Sequence, residues 1–574
     1  MKTIPIQPLP VTVTDDTQAQ RQRRRQAPKG RRVDADALAT VVALLGDTPG
    51  PRRRDLLIEH LHTLQDHVGH LSVAHLTALA EWMHLPQAEV FEVASFYHHF
   101  DVVKEGQNPP PPLTVRVCTG LSCELAGADA LLKALPARLG PGVRVLPAPC
   151  VGRCEQAPAA VVHQYPVAEA TPERVQQAVE TAQRTHHLSG YRGLETYRAD
   201  GGYQLLQRCL SGALDADAVI SQLEDAGLRG LGGAGFPAGR KWRIVRAEPA
   251  PRLMAVNIDA GEPGPFKDRW ALEHDPHRFI EGLLVAAWAV GISHCYVYLR
   301  DEYHGLRGLL TAELATLRAN PPWPGMPAIE LRRGAGAYIC GEESAMIESL
   351  EGKRGLPRLR PPYVAQVWLF GRPTLEHNAE TLFWVRDILE RGPEAFADHG
   401  RHGRRGLRAF SVSGRVKQPG VKLAPAGTTV RELIDEFCGG MLDGHTFYAY
   451  LPGGASGGIL PASLGDVPLD FDTLQAHGCF IGSAAVVVLS DHDSAKGAAL
   501  NAMRFFRDES CGQCTPCRSG TAKAVMLMEQ DVWDTALLAE LSLVMREASI
   551  CGLGQAAPNP VDCVVRYFPQ ELLP

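Results

Sequence analysis

The sequence contains no apolar run long enough to cross a bilayer. Its longest, Leu283–Ile292 and Ala484–Leu489, fall well short of the roughly 18 residues a spanning helix needs, and they predict a buried helix and a buried strand. The first 32 residues hold Arg21, Arg23, Arg24, Arg25, Lys29, Arg31 and Arg32 but lack the apolar h-region of a secretory signal, which predicts a cytoplasmic location. A solvated, disordered basic arm is expected for residues 1–33, with an arm docked on an acidic partner as the alternative. Excess positive charge is also missing: 58 Lys and Arg stand against 64 Asp and Glu, a formal charge of −6, which argues against a general nucleic-acid binder. A single core cannot organise 574 residues, so several domains are expected. Fourteen cysteines in a reducing compartment argue against a disulfide framework and for metal ligands.

Glycine, by contrast, is concentrated in loops. Residues 230–242 read Gly-Leu-Gly-Gly-Ala-Gly-Phe-Pro-Ala-Gly-Arg-Lys-Trp. Gly230, Gly232, Gly233 and Gly235 let the backbone approach a ligand and turn its N–H groups toward an anion, and Lys241 can add a full charge to a phosphate. Alone, this G-x-G-x-x-G match fits an ordinary tight turn as well as a nucleotide cradle. Two more loops repeat the chemistry. An apolar strand, Leu253–Asn257, opens into Asp259-Ala-Gly-Glu262-Pro, and residues 333–344 carry Tyr338, Gly341, Glu342 and Glu343. A strand, a Gly/Pro-rich loop and then a helix is where open α/β sheets bind ligands. Acidic side chains there bond ribose hydroxyls or flavin nitrogens, or are simply solvated. Three such loops in one domain are hard to explain as turns.

Around this centre, residues 36–100 read as helices, with Leu57, Leu61 and Leu64 on one face, Ser72 as a cap, and histidines without ligand spacing. From Leu113 the period changes to two, and the order β-α-β-β-α that follows, with Thr171 and Pro172 opening its last helix, predicts a small thioredoxin-like layer. Its cysteines, Cys118, Cys123, Cys150 and Cys154, form C-x4-C and C-x3-C pairs on loops at strand ends. Together they can hold a [2Fe–2S] cluster; structural zinc is the alternative, though zinc favours C-x2-C knuckles or a histidine. A linker is expected around Ser189–Tyr203. From Leu407 to Asp491 alternating strands surround a helix with a Thr429–Glu432 capping box, and Pro452–Gly458 reads as a flexible loop. The last segment is helical and brings Cys511, Cys514 and Cys517 within seven residues, with Cys551 further on. That tripod suits three corners of a cubane better than tetrahedral zinc. Cys209, Cys295, Cys340, Cys438, Cys479 and Cys563 read as buried thiols.

From about Asp36 to the end, the order and motifs resemble the NADH-oxidising module of respiratory complex I, with its 24-kDa-type and 51-kDa-type subunits joined in one polypeptide. Such fusions also serve as the diaphorase subunit of soluble NAD-reducing hydrogenases and as the β subunit of cytoplasmic NAD-dependent formate dehydrogenases using tungsten or molybdenum. The intact cysteine quartet, the Gly230–Phe236 loop, Glu348–Arg358 and Leu451–Pro461 are most similar to the formate dehydrogenase β subunit. The resemblance implies an α/β multidomain protein. A basic tail (1–33) would lead into a helical segment (34–112) and a thioredoxin-like [2Fe–2S] domain (113–188). A Rossmann-like FMN/NAD domain (203–400), a ubiquitin-like β-grasp (SLBB) domain (407–492) and a helical [4Fe–4S] bundle (495–574) would follow.

By matching motif, it further implies that Gly230, Gly232, Gly233, Gly235, Gly239 and Lys241 hold FMN. Asn257, Asp259, Tyr338, Gly341, Glu342, Glu343, Asn378 and Thr381 would complete the flavin pocket. Phe236 and Tyr363 would stack on NAD, Glu262 would line the nicotinamide side, and Arg360 stands where the family has Lys. No protein acid or base is required, because catalysis is the alignment of nicotinamide over flavin. Cys118, Cys123, Cys150 and Cys154 would bind one cluster and Cys511, Cys514, Cys517 and Cys551 the other. Family members usually carry Glu at Ala260, Phe at Tyr363, Asn at His377 and Thr or Ser at Pro265. Losing a carboxylate at Ala260 predicts a changed flavin potential or looser NAD-over-NADP discrimination. The chain has no ligand set for molybdopterin, tungsten or nickel, so formate or hydrogen would be activated on a large partner subunit. A non-catalytic electron-transfer scaffold is the remaining alternative. Neither nucleic acid nor membrane is an expected partner.

Overall fold

A computed structural model describes residues 30–47 and 53–573. Residues 1–29, which carry most of the basic arm, lie outside the described residues. Its last part is held rather than free: Arg31 exchanges backbone hydrogen bonds with the Gln87 side chain and pairs with Glu105.

Among the described residues, the helices Ala35–Leu45, Leu57–Val68, Val73–Met83 and Gln87–Phe96 come first. Leu57, Leu61 and Leu64 are fully buried on one face, and Ser72 caps the third helix by accepting the His75 N–H. The thioredoxin-like layer follows as a four-stranded sheet in the order Val143–Ala148, Leu113–Cys118, Ala160–Val162, Tyr165–Val167. The first pair is parallel and the others antiparallel. Thr171 caps the closing helix Pro172–Glu180.

The segment expected as a linker is instead packed. Helix Leu194–Ala199 buries Leu194 and Tyr197, and the Tyr203 hydroxyl meets His277 Nδ1 at 2.7 Å. Aromatic residues among glycines gave the stretch a linker's composition, while their rings gave it a core contact.

The central domain holds a parallel sheet in the order Thr374–Asn378, Arg252–Ile258, Ile292–Leu299, Ala328–Arg333. Helix Pro276–Val290 covers it and is buried almost all round, its buried Glu281 and His277 meeting the Tyr197 and Tyr203 hydroxyls. Strand Arg252–Ile258 is the topological switch point: its chain neighbour lies on one side and the last strand returns on the other. Asn257 and Asn378 are register partners at the carboxyl ends of these two strands. A crevice opens there in sheets of this class.

A five-stranded mixed sheet spans residues 407–490, and its capping box is formed on both sides, Thr429 Oγ1 accepting from Glu432 N and Glu432 Oε2 from Thr429 N. The helices Ala495–Asp508, Thr515–Met528, Thr535–Ala548, Gly552–Ala556 and Asn559–Tyr567 complete the chain. No described helix is long and apolar enough to cross a membrane.

Candidate functional site

At the switch point lies a cavity of about 290 Å³. Around the strand ends its walls include Gly232 and Gly233 of the glycine loop, Asn257, Asp259 and Glu262, Tyr338 and Glu342, and Asn378. The three glycine-bearing loops therefore converge. Within the loop the glycines divide the work. Gly230 N–H donates to Phe236 O at 2.8 Å, and Gly235, at φ +66°, donates to Gly230 O at 3.2 Å, closing the turn. A Cβ on Gly235 would meet the Phe471 ring at 2.6 Å, and one on Gly239 would meet Glu224 at 2.5 Å. Gly239 thus lets two helices approach, and only Gly232 and Gly233 face the cavity.

Thr381 and Asn378 brace the loop from below. Thr381 Oγ1 accepts the Leu231 N–H at 2.9 Å, and Asn378 Oδ1 accepts from Thr381 while capping helix Ala379–Phe383. Lys241 turns to the Glu376 carbonyl at 3.1 Å and is not among the residues of the cavity wall. Its neighbour, the Glu376 carboxyl, is pushed well above its ordinary range by burial and then by Glu343. The Trp242 indole N–H donates to His377 Nε2 at 2.7 Å, and burial holds this imidazole neutral.

The acidic groups are positioned individually. Asn257 spans Gly341 O and Asp259 N. Asp259 Oδ2 is buried without a partner, and burial pushes this carboxyl well above its ordinary range. An orphaned acceptor on a cavity wall fits a ligand N–H or hydroxyl. Glu262 Oε1 accepts the Ser456 N–H at 2.6 Å, and burial raises its carboxyl to about 7. Glu342 caps helix Glu343–Leu350 and, with Glu343, pairs with Arg360 at 2.9 and 2.5 Å. Phe236 and Tyr363 lie outside the cavity wall, 37% and 58% exposed, and the Arg240 guanidinium lies over the Phe236 ring at 5.6 Å.

Three further parts of this wall were not assigned to the pocket from the sequence. The loop Pro452–Gly458, expected to be flexible, is buried throughout and holds Glu262 through Ser456; glycine there serves close packing, not mobility. Phe480, Gly482 and Ser483 add to the same side. Gly552, Leu553 and Ala556 close the cavity from the last domain, immediately after Cys551. A search for period and spacing cannot find such residues, because packing between domains selects them.

The first four cysteines are all buried, with Cys150 and Cys154 Sγ 3.5 Å apart. Backbone N–H groups of Gly152 and Ala159 donate to Cys150 and Cys123 sulfurs. Hydrogen bonds to Cys123 and Cys150, ahead of burial, push the Cys118 thiol well up. In the second set, burial raises Cys517 to about 11 and Cys551 to about 12. Cys150 is shifted the other way, well down, by hydrogen bonds from Cys118 and Cys154; a cationic core would favour the thiolate form of all of them. Among the described residues no group of three or more Cys, His, Asp or Glu side chains is arranged to hold a single metal ion. Cys209, Cys295, Cys340, Cys438, Cys479 and Cys563 are buried, and Cys479 and Cys563 meet at 3.5 Å.

A Nuo51 FMN-binding domain model matches residues 223–387, and a thioredoxin-like [2Fe–2S] ferredoxin model matches residues 43–183. The NADH-ubiquinone oxidoreductase-F iron–sulfur binding region matches residues 497–573, and an SLBB domain residues 410–460. An NADH-quinone oxidoreductase F subunit of Rhizobium meliloti is 40% identical over 395 residues, 66% of this chain and 93% of that relative. The mitochondrial NADH dehydrogenase [ubiquinone] flavoprotein 1 of Dictyostelium discoideum is 38% identical over 374 residues, 62% and 78% respectively. Among solved structures, a chain of an NAD+-reducing [NiFe]-hydrogenase in the H2-reduced state superposes with a TM-score of 0.79. It is 34% identical, over 91% of this chain and 92% of that one.

Proposed function

The chain belongs to the family of NADH-quinone oxidoreductase F subunits, and from that premise we propose that it is the diaphorase subunit of an NAD-dependent formate dehydrogenase. Its domains are those of an NAD-reducing or NADH-oxidising electron-transfer flavoprotein with FMN, one [2Fe–2S] and one [4Fe–4S] cluster. FMN, when bound, would supply two-electron hydride chemistry and the clusters one-electron transfer, so residues holding both would join nicotinamide to a one-electron wire.

The residues divide into binding, orienting and excluding. Gly232 and Gly233 leave bare backbone for the cofactor, and Asp259 offers its unpartnered oxygen to a ring N–H. Glu262, fixed by Ser456, faces the nicotinamide, while Phe236 and Tyr363 take the planar parts of NAD from outside. Arg360, clasped by Glu342 and Glu343, governs which carboxylate is free for ribose. Phe480 and Leu553 keep water from the reacting faces. Cys118, Cys123, Cys150 and Cys154 hold the [2Fe–2S] cluster and Cys511, Cys514, Cys517 and Cys551 the [4Fe–4S] cluster.

The observation that carries this reading is the shared wall: Gly552 lines the cavity and Cys551 is its covalent neighbour. Formate as the partner's substrate rests on the motifs at residues 230–236, 348–358 and 451–461, with a tungsten or molybdenum pterin on a large cytoplasmic partner. A nickel–iron hydrogenase partner is the second reading, favoured by the likeness to a hydrogenase chain over 91% of the sequence. Metal analysis of the natively purified complex separates them: tungsten or molybdenum supports the first, nickel the second. Anaerobic NADH should bleach the flavin; an unchanged spectrum with flavin bound would refute the enzyme and leave an electron-transfer scaffold.

A further inference from the structure

Two buried arginines of the central domain grip the loop that carries Cys150 and Cys154. Arg269 Nε donates to Gly152 O at 3.1 Å, and its guanidinium pairs with Glu155 and with Glu273, which Arg153 shares at 3.7 Å. Phe266, 1% exposed, packs on both cysteines beside it. Arg300 is placed differently. It follows strand Ile292–Leu299 directly and is 4% exposed. Nη2 donates to Cys150 O at 2.7 Å and Nη1 to Ala260 O at 2.5 Å. Nε and Nη2 also reach the Glu302 carboxylate at 3.0 and 2.8 Å. Ala260 lies on the cavity wall, so one guanidinium ties the loop around the flavin to the loop of a cluster ligand.

We propose that Arg300 is a positioning residue that fixes the flavin loop against the cluster loop and sets the reduction potential of the [2Fe–2S] cluster. The inference rests on the assignment of Cys118, Cys123, Cys150 and Cys154 to that cluster. Reduction adds one electron and leaves the cluster one charge more negative. A buried cation against a ligand's carbonyl favours the reduced form, because low local dielectric preserves the interaction. Glu302 is a buried anion beside the same site and acts in the opposite sense. A planar fork is needed because three acceptors surround one side chain, and lysine cannot reproduce its directions.

The test is an EPR-monitored redox titration of the [2Fe–2S] signal in the full-length, cofactor-loaded chain and in Arg300→Gln, Arg300→Lys and Glu302→Gln. Arg300→Gln should move the midpoint to more negative potential and Glu302→Gln to more positive. Arg300→Lys keeps the charge and should stay within titration scatter of the parent while retaining less FMN. Shifts in one common direction, or none, would overturn the proposal, since a merely structural role has no reason to reverse with the sign of the lost charge. Should Arg300→Gln fail to fold, Glu302→Gln and Arg300→Lys decide: a positive shift in the first with the second unmoved supports it, and an unmoved Glu302→Gln overturns it. A parent chain without any [2Fe–2S] signal refutes the cluster assignment, and the proposal with it.

Discussion

Thr381 is not a wall of the cavity, yet it should decide how tightly FMN is held. Its side chain is 1% exposed, accepts the Leu231 N–H at 2.9 Å and donates to Asn378 Oδ1 at 2.5 Å. Leu231 sits between Gly230 and Gly232, so this hydroxyl fixes the first turn of the glycine loop. Thr381→Val preserves volume and removes only the oxygen. A buried N–H then has no acceptor, at a cost of about 1–3 kcal/mol. The loop cannot easily move to find another, because Gly232 lies so close to Asn378 that an added Cβ would stand 3.1 Å from the Asn378 Cβ. If the FMN-bound conformation bears that cost, the FMN dissociation constant rises roughly 5- to 150-fold, at about 1.4 kcal/mol per tenfold. Titration of the deflavinated chain with FMN, followed by quenching of flavin fluorescence, measures it directly. Thr381→Ser keeps the hydroxyl and should stay within about twofold. Equal affinities for the Val and Ser variants would refute the reasoning.

Two more consequences concern charge. The Glu262 carboxyl is raised from 4.5 to about 7 by burial, so the folded chain holds a proton there that the unfolded chain has lost. Stability from this group is complete below pH 4.5, falls as pH rises toward 7 and is flat above, by about 3 kcal/mol at 1.36 kcal/mol per unit. Thermal-inactivation midpoints of Glu262→Gln should therefore converge with the parent's at acid pH and exceed them at pH 8; parallel profiles would show that Glu262 titrates normally. At Ala260, replacement by Glu places an anion beside the cavity that disfavours the electron-rich reduced flavin. Spectroelectrochemistry should find a more negative flavin midpoint in Ala260→Glu, and steady-state kinetics a stronger preference for NAD over NADP.

Local chemistry was legible in the sequence where it repeats at short range. The period-two strand ending at Cys118, the Ser72 and Thr171 caps and the Thr429–Glu432 box each involve residues within a few positions, and each is formed as expected. The three glycine-bearing loops meet at one cavity. Roles within them were not legible. Gly239 matches the motif as well as Gly233 does, but only the packing of helix Ala238–Ala247 against Ala216–Asp225 reveals that its missing Cβ serves a helix contact. Pro452–Gly458 reads as mobile because glycine is ambiguous between freedom and close approach; the buried Glu262 carboxylate beneath it resolves the ambiguity. Arg300 lies in an ordinary strand end, and nothing near it in sequence announces partners 150 and 40 residues away.

Those long-range contacts bear on why one polypeptide carries all the domains. Hydride transfer needs a single closed cavity, whereas passing electrons on singly needs cluster loops at fixed separation from it. Both conditions hold only if the cavity wall is shared. On one side Leu553 and Gly552 form the wall and Cys551 caps the same short helix. On the other, Ala260 and Cys150 are joined through Arg300. The remaining domain borders are also pinned by directional groups: Asn501 Nδ2 donates to Thr119 O at 3.0 Å, and Ser122 and Ser413 hydroxyls meet at 2.9 Å. Apolar contact alone tolerates sliding, since it is non-directional, but buried polar pairs lose a full hydrogen bond when displaced. Domains joined by flexible tethers could still bind each cofactor; they could not hold both cluster loops in register with one flavin wall.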